Sequence, residues 1–388
     1  MASWIPRLGM KTLHQLARGF PVVSVTGPRQ SGKSTLARAA FPDHPYVTLE
    51  LPADLDWART DPTGFLDRFP EGAILDEIQR CPELFSHLQV RVDENRSMGQ
   101  YVITGSQQFG MNERISQSLA GRVGGIVLLP FTREEIAGAG RAPSSLDAQL
   151  TTGFYPAIYD RDLAPHLWYG NYVSTYVERD VRQIQAIRDL ETFRTFLRLC
   201  AGRTAQLLNL ASLANDVGIS AVAARQWVSI LQASYIVHLL PPYHRNFNKR
   251  LVKSPKLYFL DCGLAAHLVG ISEPQQVTAH PLRGPLFETY VVGEMLKRRF
   301  NAGRAADLFF WRDSHGHEVD VLRQDGPRVT TVEAKAGATV DSAQLAGLEY
   351  WRSLAGTEAG ASYLVHGGNT RGRRGGCEIL PWTDAGAI

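Results

Sequence analysis

Short apolar runs alternate with segments of helical periodicity in the first third of the 388-residue chain. The run "PVVSVT" is typical of a strand and "STLARAAF" after it of a helix, and two further strand-like runs, "AIL" and "YVIT", follow downstream. Strands that alternate with helices are typical of an α/β domain. We therefore predict an α/β fold with a parallel sheet for residues 1–145.

The middle of the chain changes to mainly helical patterns after a polar, Pro- and Ser-containing boundary at residues 141–149. The stretch "LASLANDVGISAVAARQWVSILQ" predicts two helices joined by a turn at Gly218, with Ala214 placed for a close helix crossing. Two strand-like runs, "YIVHLL" and "KLYFLD", follow. We interpret residues 146–275 as a helical connector and a winged helix-turn-helix whose basic tip contacts a phosphate backbone. The alternatives are a helix-turn-helix that serves only to pack domains together and a charged hairpin that is only a solvated surface. The tip residues are Arg245, Lys249, Arg250, Lys253 and Lys256.

A second α/β pattern occupies residues 276–388. It begins with the amphipathic helix "FETYVVGEMLKRRF", continues with a hairpin in "DLFFWRDSHGHEVDVLRQDG" and ends in the strand "RVTTVEAKAGA". The hairpin turn lies near His315 and His317. We expect these two histidines to be exposed turn residues and not metal ligands.

Composition narrows the class of protein. A hydrophobic content of 44% with 20% charged residues is typical of a globular chain, and its length predicts two or three domains. The formal net charge is +3, so DNA binding would need a local basic patch. No apolar run reaches the roughly 18 residues of a membrane span, and the charged N-terminus does not fit a signal peptide. Four isolated cysteines indicate neither disulfides nor a zinc site and favour a reducing cytoplasm.

The segment after the first strand has the spacing G-x-x-x-x-G-K-[ST] of a phosphate-binding loop. Backbone N–H groups of such a loop surround phosphate oxygens at a helix N-terminus. The pattern predicts that Lys33 contacts the β- and γ-phosphates of ATP and that Ser34 ligates Mg²⁺. A chance glycine-rich turn is the alternative, and the strand–helix context disfavours it. The residues assigned to the nucleotide are Gly27, Pro28, Arg29, Gln30, Ser31, Gly32, Lys33, Ser34 and Thr35.

Polar residues also end the next two strand-like runs. Asp76 and Glu77 follow "AIL", and Thr104 lies at the end of "YVIT". Because ligands bind at the carboxyl ends of parallel strands, we predict that Asp76 holds Mg²⁺ and that Glu77 polarises the attacking water. Thr104 is placed to sense the γ-phosphate. The alternatives are a solvated acidic turn and an ordinary strand end.

The C-terminal third contains a second candidate site. Asp320 lies thirteen positions before Glu333 with a Gly/Pro turn between them, so the two carboxylates can arrive on adjacent strands. Glu333 and Lys335 alternate by two and therefore share one face of their strand. Two carboxylates and a lysine suit metal-dependent phosphodiester hydrolysis, in which the acids hold Mg²⁺ and the lysine acts on the attacking water.

The residues of each candidate site resemble those of a known protein family. The N-terminal residues resemble the AAA-type P-loop ATPase module, and "SQSLAGRVGGIVLLPFTREEI" is similar to the stretch after the sensor strand in a family of prokaryotic ATPases with a C-terminal domain of unknown function. That resemblance implies that Arg122 senses phosphate, in its own chain or from a neighbouring subunit; a surface arginine is the equal alternative. The C-terminal residues resemble the PD-(D/E)XK nuclease fold, which adds Glu288 to the metal ligands Asp320 and Glu333. "EVD" replaces the usual Pro-Asp pair.

These features together predict a cytoplasmic ATPase that uses ATP and Mg²⁺, binds DNA and cleaves it with a nuclease-like domain. The alternative is a regulatory switch in which the nuclease-like fold is catalytically silent and only binds DNA or protein. A membrane-recruited signalling ATPase is disfavoured, because the chain has no basic amphipathic anchor. We expect no membrane partner. The expected partners are DNA and, in a homo-oligomer, further copies of this chain.

Overall fold

The structure is a computed structural model that describes residues 4–95, 97–106, 118–177, 189–243 and 252–388. The chain divides into two compact units. The first unit comprises Met1–Phe131, Ala233–Tyr235 and Arg299–Ala305, and the second comprises Thr132–Gln232, Ile236–Arg298 and Ala306–Ile388. Most of the predicted middle and C-terminal domains therefore lies in one unit.

A five-stranded parallel sheet forms the centre of the first unit. Its strands are β1 (Val22–Thr26), β2 (Tyr46–Thr48), β3 (Ala73–Asp76), β4 (Tyr101–Gly105) and β5 (Val123–Val127). The spatial order is β2-β3-β4-β1-β5, so β1 lies between β4 and β5. This arrangement confirms the predicted α/β fold and the three predicted strands.

Helices cover both faces of this sheet, which is why its central strands are apolar on both sides. Leu75 and Ile103 belong to a buried cluster with Leu88 on one face, and Val25 packs with Leu36 on the other. The helices of this unit are α1 (Gly9–Ala17), α2 (Lys33–Ala40), α3 (Pro52–Thr60), α4 (Pro62–Asp67) and α5 (Leu84–Glu94).

Helices form the first part of the second unit. Two of them flank the predicted turn, where Gly218 takes a left-handed φ of 79° and ends the first helix, while Ala214 is buried. This confirms the two predicted helices and the turn between them at Gly218. The helices in order are α6 (Arg133–Gly138), α7 (Leu146–Thr152), α8 (Pro156–Asp160), α9 (Pro165–Tyr172), α10 (Leu190–Gly202), α11 (Leu210–Val217) and α12 (Ala221–Ala233).

A three-stranded antiparallel sheet is formed by one strand that precedes α11 and two strands that follow α12. It contains β6 (Gln206–Leu207), β7 (Val237–Leu240) and β8 (Lys256–Phe259), with β8 in the centre. The predicted tip residues Arg245, Lys249 and Arg250 lie outside the described residues, and Lys253 is exposed.

The assignment of Lys256 to the exposed tip was wrong. Lys256 is the first residue of the central strand β8, and only 3% of it is exposed. Its ammonium group pairs with the carboxylates described below, so this lysine is not available to a DNA backbone.

A six-stranded mixed sheet forms the C-terminal part of the second unit. Its strands are β9 (Leu308–Arg312), β10 (Glu318–Asp325), β11 (Arg328–Lys335), β12 (Ala359–His366), β13 (Gly372–Arg374) and β14 (Cys377–Pro381), in the order β13-β14-β12-β11-β10-β9. The β9–β10 and β10–β11 pairs are antiparallel, whereas β11 and β12 are parallel. The helices are α13 (Cys262–Leu268), α14 (Pro274–Thr278), α15 (Arg283–Asn301) and α16 (Ala346–Ala355).

This sheet confirms the predicted C-terminal elements. The predicted helix lies within α15, the hairpin is formed by β9 and β10, and the last predicted strand is β11. The core that holds them together contains Trp311, Trp351 and Leu364. Helix α16 connects the parallel strands β11 and β12, as a parallel pair requires a crossover.

The membrane-helix, cysteine and histidine expectations can each be compared with the structure. No helix in the described ranges is long and apolar enough to cross a membrane. All four cysteines are free and buried, which agrees with the absence of a disulfide pattern in the sequence. His315 and His317 lie in the β9–β10 turn with exposed side chains, as predicted.

Candidate functional sites

The phosphate-binding loop connects β1 to α2 at the carboxyl edge of the parallel sheet. Its first glycine is required by the backbone, because a Cβ on Gly27 would lie 2.2 Å from the carbonyl oxygen of Leu128. Gly32 takes a left-handed φ of 92° directly before α2. The two glycines of the motif thus let the loop turn tightly into the helix that begins at Lys33.

Two basic side chains hold the loop in place. The ammonium group of Lys33 donates to the carbonyl oxygen of Pro28 at 2.8 Å, and Lys33 is 5% exposed. The guanidinium of Arg7 donates to the carbonyl oxygens of Ser31 at 2.7 Å and Leu129 at 2.6 Å. Sequence reasoning did not identify Arg7, because it lies outside any motif and far from the loop in the chain.

Asp76 lies at the centre of a hydroxyl network. One carboxylate oxygen accepts from the Ser34 hydroxyl at 2.7 Å and from the Thr104 hydroxyl, and the other accepts from the Tyr46 hydroxyl at 2.7 Å. The structure therefore brings together three of the predicted residues and adds Tyr46. Burial and the hydrogen bond to Asp76 raise the pKa of Tyr46 to about 12, so its phenol stays a donor at physiological pH.

Glu77 follows in a left-handed conformation, with φ of 57°. Its carboxylate accepts from the Ser106 hydroxyl at 3.1 Å and from the Gln79 amide. Its backbone N–H donates to the Thr104 hydroxyl at 3.3 Å, so Thr104 connects the two acidic residues. This network fixes the orientation of the Glu77 carboxylate next to Asp76.

Ser34 and Asp76 fit a magnesium ion, since a hydroxyl and a carboxylate are the oxygen ligands that Mg²⁺ prefers. The Ser31 hydroxyl is fully buried in the loop and has no hydrogen-bond partner among the described residues. Of the other predicted loop residues, Arg29 is half-buried and Gln30 and Thr35 are exposed. A cavity of about 500 Å³ lies beside them, lined by residues that include Ser34, Thr35, Arg38 and Tyr46.

Arg122 is not brought to the loop of its own chain. It immediately precedes β5, whose first residue pairs with Val22, so Arg122 lies at the edge of the sheet opposite to the loop. There its guanidinium contacts both carboxylate oxygens of Asp93, at 2.6 and 2.8 Å. A phosphate-sensing role towards a neighbouring subunit stays a prediction.

The second site is a cluster of acidic side chains from α15, β10 and β11, which we call the acid cluster: Glu288, Glu318, Asp320 and Glu333. One carboxylate oxygen of Asp320 accepts from the backbone N–H of Ala334 at 2.9 Å, which places β10 and β11 side by side at this point. The ammonium group of Lys335 donates to Glu333 at 2.6 Å. Asp320 on β10 and the pair Glu333 and Lys335 on β11 are therefore brought together, as their positions on the same face of paired strands predict.

Lys256 and Tyr258 from β8 also contact the acid cluster, and sequence reasoning missed both. The Lys256 ammonium group lies 2.8 Å from Glu288, 2.5 Å from Glu318 and 3.8 Å from Asp320. The hydroxyl of Tyr258 donates to the same oxygen of Glu288. The alternation of β8 puts both side chains on one face, but nothing in the spacing relates β8 to α15.

Burial changes the protonation of the acid cluster. Desolvation, followed by the charge of Asp320, raises the pKa of Glu288 to about 7 and that of Glu333 to about 8. Burial opposes the charge on Lys256, but the neighbouring Tyr258 and carboxylates outweigh it and hold the pKa of Lys256 well above its ordinary value. Burial thus favours the protonated forms of Glu288 and Glu333, while the surrounding carboxylates favour the charged form of Lys256.

The donor set of the acid cluster is suited to Mg²⁺ or Mn²⁺. Glu288, Asp320 and Glu333 supply carboxylate oxygens, and one oxygen of Glu333 is buried with no hydrogen-bond partner in the described part of the chain. No three Asp, Glu, His or Cys side chains among the described residues are already arranged around a metal position. Lysine ammonium groups contact the carboxylates in this structure.

Comparison with known proteins identifies relatives of the chain and the class of its N-terminal domain. The chain is 30% identical over 322 residues to the uncharacterized protein Rv2008c of Mycobacterium tuberculosis and to the uncharacterized protein Mb2031c of Mycobacterium bovis. The alignments cover 82% of this chain and 71% of each relative. Residues 19–137 match the family described as AAA domain. The N-terminal part of the chain is therefore a P-loop ATPase domain.

The remaining parts match two families described as domains of unknown function, DUF8612 over residues 144–275 and DUF4143 over residues 283–385. Among solved structures, the chain is similar to the Walker-type ATPase PABY2304 of Pyrococcus abyssi, with 14% identity and a TM-score of 0.45 over 67% of this chain and 94% of that one. It is also similar to a RuvB variant of Thermotoga maritima, with 17% identity and a TM-score of 0.33 over 60% and 88% of the two chains.

Proposed function

The chain belongs to the same family as the two mycobacterial proteins, and we propose that it combines ATP hydrolysis at the P-loop with Mg²⁺-dependent cleavage of DNA at the acid cluster. One observation carries the proposal. Glu288 on helix α15, Asp320 on β10 and the neighbouring Glu333 and Lys335 on β11 come from three separate elements, and their side chains meet in one acidic cluster. Burying several carboxylates together costs desolvation energy, and binding of a metal ion would offset that cost.

The ATP half of the proposal assigns a task to each residue of the P-loop site. The loop N–H groups and Lys33 bind the phosphates, and Ser34 and Asp76 hold Mg²⁺. Glu77 orients the attacking water and accepts its proton, since its carboxylate lies beside the loop and is held by Ser106. Lys33 must release the Pro28 carbonyl to reach the nucleotide.

In the DNA-cleavage half, Glu288, Asp320 and Glu333 would hold the metal. When bound, Mg²⁺ supplies a Lewis acid for the phosphodiester and lowers the pKa of a bound water. Lys335 then stabilises the negative charge that develops at phosphorus or orients the water. The order helix α15, strands β9 to β11, helix α16 and strand β12 supports the predicted nuclease-like fold for this domain.

DNA binding is assigned to the helix–turn–helix and the sheet beside it. The N-terminal half of α12 exposes Val222, Arg225 and Gln226, the part of a second helix that enters a major groove in such motifs. Lys253 is also exposed, near the start of β8. These positions support a DNA-binding winged helix, with affinity that falls as salt concentration rises.

The experiment is a cleavage assay on supercoiled plasmid and on single- and double-stranded oligonucleotides with Mg²⁺ or Mn²⁺, with and without ATP. We expect cleavage by the full chain that is lost in Asp320→Asn. Cleavage by neither metal on any substrate would remove the nuclease half of the proposal and leave the ATPase half standing.

A regulatory switch is the second candidate function, and the position of Lys256 favours it. A lysine that neutralises the acid cluster is compatible with a fold that binds DNA or protein without cleaving it. In that case DNA would change the rate of ATP hydrolysis while the DNA stays intact, which the same assay detects when released phosphate is measured in parallel.

A further inference from the structure

We propose that Lys256 is the resident cation of the acid cluster, and that a divalent metal ion binds there only by displacing its ammonium group. This inference rests on the metal site of the proposed function and adds a residue that determines the affinity of that site. Lys256 comes from another sheet than Glu333 and Lys335, so the alternation of those two residues does not indicate it.

The contacts of Lys256 are those of a bound cation. Its ammonium group lies within 2.8 Å of Glu288 and Glu318 and 3.8 Å from Asp320. Its side chain is 4% exposed, so water does not compete for these contacts. A buried ammonium group that contacts three carboxylates from one helix and one strand fills the role that a metal ion has in an acidic site.

The lysine and a metal ion would need the same oxygens. Glu288 and Asp320 are two of the three proposed ligands, and the third, Glu333, has one buried oxygen without a hydrogen-bond partner among the described residues. A divalent ion that uses this free oxygen together with Glu288 and Asp320 comes close to the Lys256 ammonium group. The repulsion between the two cations in a buried site is large, so they exclude each other.

If Lys256 and a metal ion exclude each other, substitution of Lys256 should have an unusual effect on stability. Removing a positive charge from a buried site normally destabilises the acids that it neutralises. If a metal ion can replace that charge, Lys256→Met should be destabilised without metal and should recover when metal is added. It should also bind the metal more tightly than the wild-type chain.

The test is calorimetric titration of the full chain with Mn²⁺ in the absence of nucleotide, with Asp320→Asn used to identify the binding that belongs to the acid cluster. We expect Lys256→Met to bind Mn²⁺ at least about tenfold more tightly than wild type. We also expect its melting temperature to be lower than that of wild type in EDTA and to rise more on addition of Mn²⁺.

Lys297→Met is the matched control. Lys297 is 2% exposed and pairs with Glu294 at 2.9 Å, so it is a second buried lysine–glutamate pair in the same unit. Its substitution should lower the melting temperature without changing Mn²⁺ affinity. If Lys256→Met does not fold, Lys256→Gln replaces it, because the amide keeps a donor for Glu288 without the charge.

Equal Mn²⁺ affinity of wild type and the Lys256 variant would overturn this inference and leave the metal site of the proposed function intact. Absence of Mn²⁺ binding in both would overturn the metal site and the inference together. Tighter binding by the variant supports the inference whether or not either protein cleaves DNA.

Discussion

The two candidate sites hold their acidic residues in different ways. At the P-loop, Asp76 accepts hydrogen bonds from the hydroxyls of Ser34, Thr104 and Tyr46. In the acid cluster, the ammonium group of Lys256 contacts three carboxylates and Lys335 contacts a fourth. The Asp76 carboxylate is held by neutral donors, whereas the acid cluster is held by two ammonium groups in addition to the neutral donors Tyr258 and Ala334.

This difference determines how each site can accept Mg²⁺. A hydroxyl that leaves a carboxylate can ligate the incoming metal itself, as we propose for Ser34, and the charge of the protein is unchanged. An ammonium group cannot ligate a metal and must move away or lose a proton. The P-loop site is therefore prepared for a metal–nucleotide complex, whereas the acid cluster is neutralised until a ligand changes it.

We expect the largest effect from a substitution in the P-loop that abolishes ATP hydrolysis and leaves the acid cluster unaffected. Lys33→Ala should reduce ATP hydrolysis by about 100-fold or more, because the ammonium group that binds the β- and γ-phosphates in the transition state is lost. Mn²⁺ binding at the acid cluster should not change. Phosphate release by the purified variant measures the first effect, and titration without nucleotide measures the second.

Lys11→Ala is the control for this variant, since Lys11 is an exposed lysine of α1 in the same unit. It should hydrolyse ATP as wild type does. Undiminished hydrolysis by Lys33→Ala would remove the assignment of the loop as the ATP site.

The reciprocal variant is Asp320→Asn. It removes a carboxylate from the acid cluster, so metal binding and DNA cleavage should fall below detection, while ATP hydrolysis in the absence of DNA should remain within about twofold of wild type. Asp325→Asn, at the exposed end of the same strand, should change neither activity. Loss of ATP hydrolysis in Asp320→Asn would show that the two sites are not independent.

The sequence predicted each site to the extent that its residues are close in the chain. The whole loop from Gly27 to Thr35 is contiguous, and the spacing of Glu333 and Lys335 follows from strand alternation. By contrast, Lys256 contacts Glu288 across 32 positions, and Arg7 contacts the Leu129 carbonyl across 122. Such contacts depend on how elements pack, which periodicity does not encode.

One compositional signal pointed to Lys256. The chain has only seven lysines, and Lys33, Lys256 and Lys297 are 5%, 3% and 2% exposed. In a chain that uses arginine for most basic positions, a lysine is favoured where a compact ammonium group fits and a guanidinium does not. Grouping Lys256 with neighbouring basic residues concealed this signal, since a run of charges resembles an exposed tip.

A pH series sharpens the contrast between the sites. The pKa of Glu333 rises from its ordinary value of 4.5 to about 8 in the folded chain, so between these values the folded state holds a proton that the unfolded state has lost. Its contribution to stability is therefore fully present below 4.5 and is lost as the pH rises through about 8. The metal-free protein should become less stable over this range.

Urea unfolding in EDTA at several pH values measures this slope. Glu333→Gln should flatten it, since the amide does not titrate, whereas Glu378→Gln, at an exposed position of β14, should leave it unchanged. An identical slope in Glu333→Gln and wild type would show that Glu333 does not carry a raised pKa.

The smallest expected effect tests the neutral donors of the P-loop site. Tyr46→Phe removes the hydroxyl that donates to Asp76 at 2.7 Å but keeps the ring, which lies 5.1 Å from the guanidinium of Arg38. A hydrogen bond to a carboxylate at a partly exposed position contributes about 1 kcal/mol, so the free energy of unfolding should fall by about that amount. Urea unfolding without nucleotide measures this loss.

With saturating Mg²⁺ and ATP the loss of unfolding free energy in Tyr46→Phe should be smaller, because Asp76 then has the metal as its partner. A loss of several kcal/mol in both conditions would mean that Tyr46 holds Asp76 as firmly as Lys256 holds the acid cluster, and the distinction between the two sites would not stand.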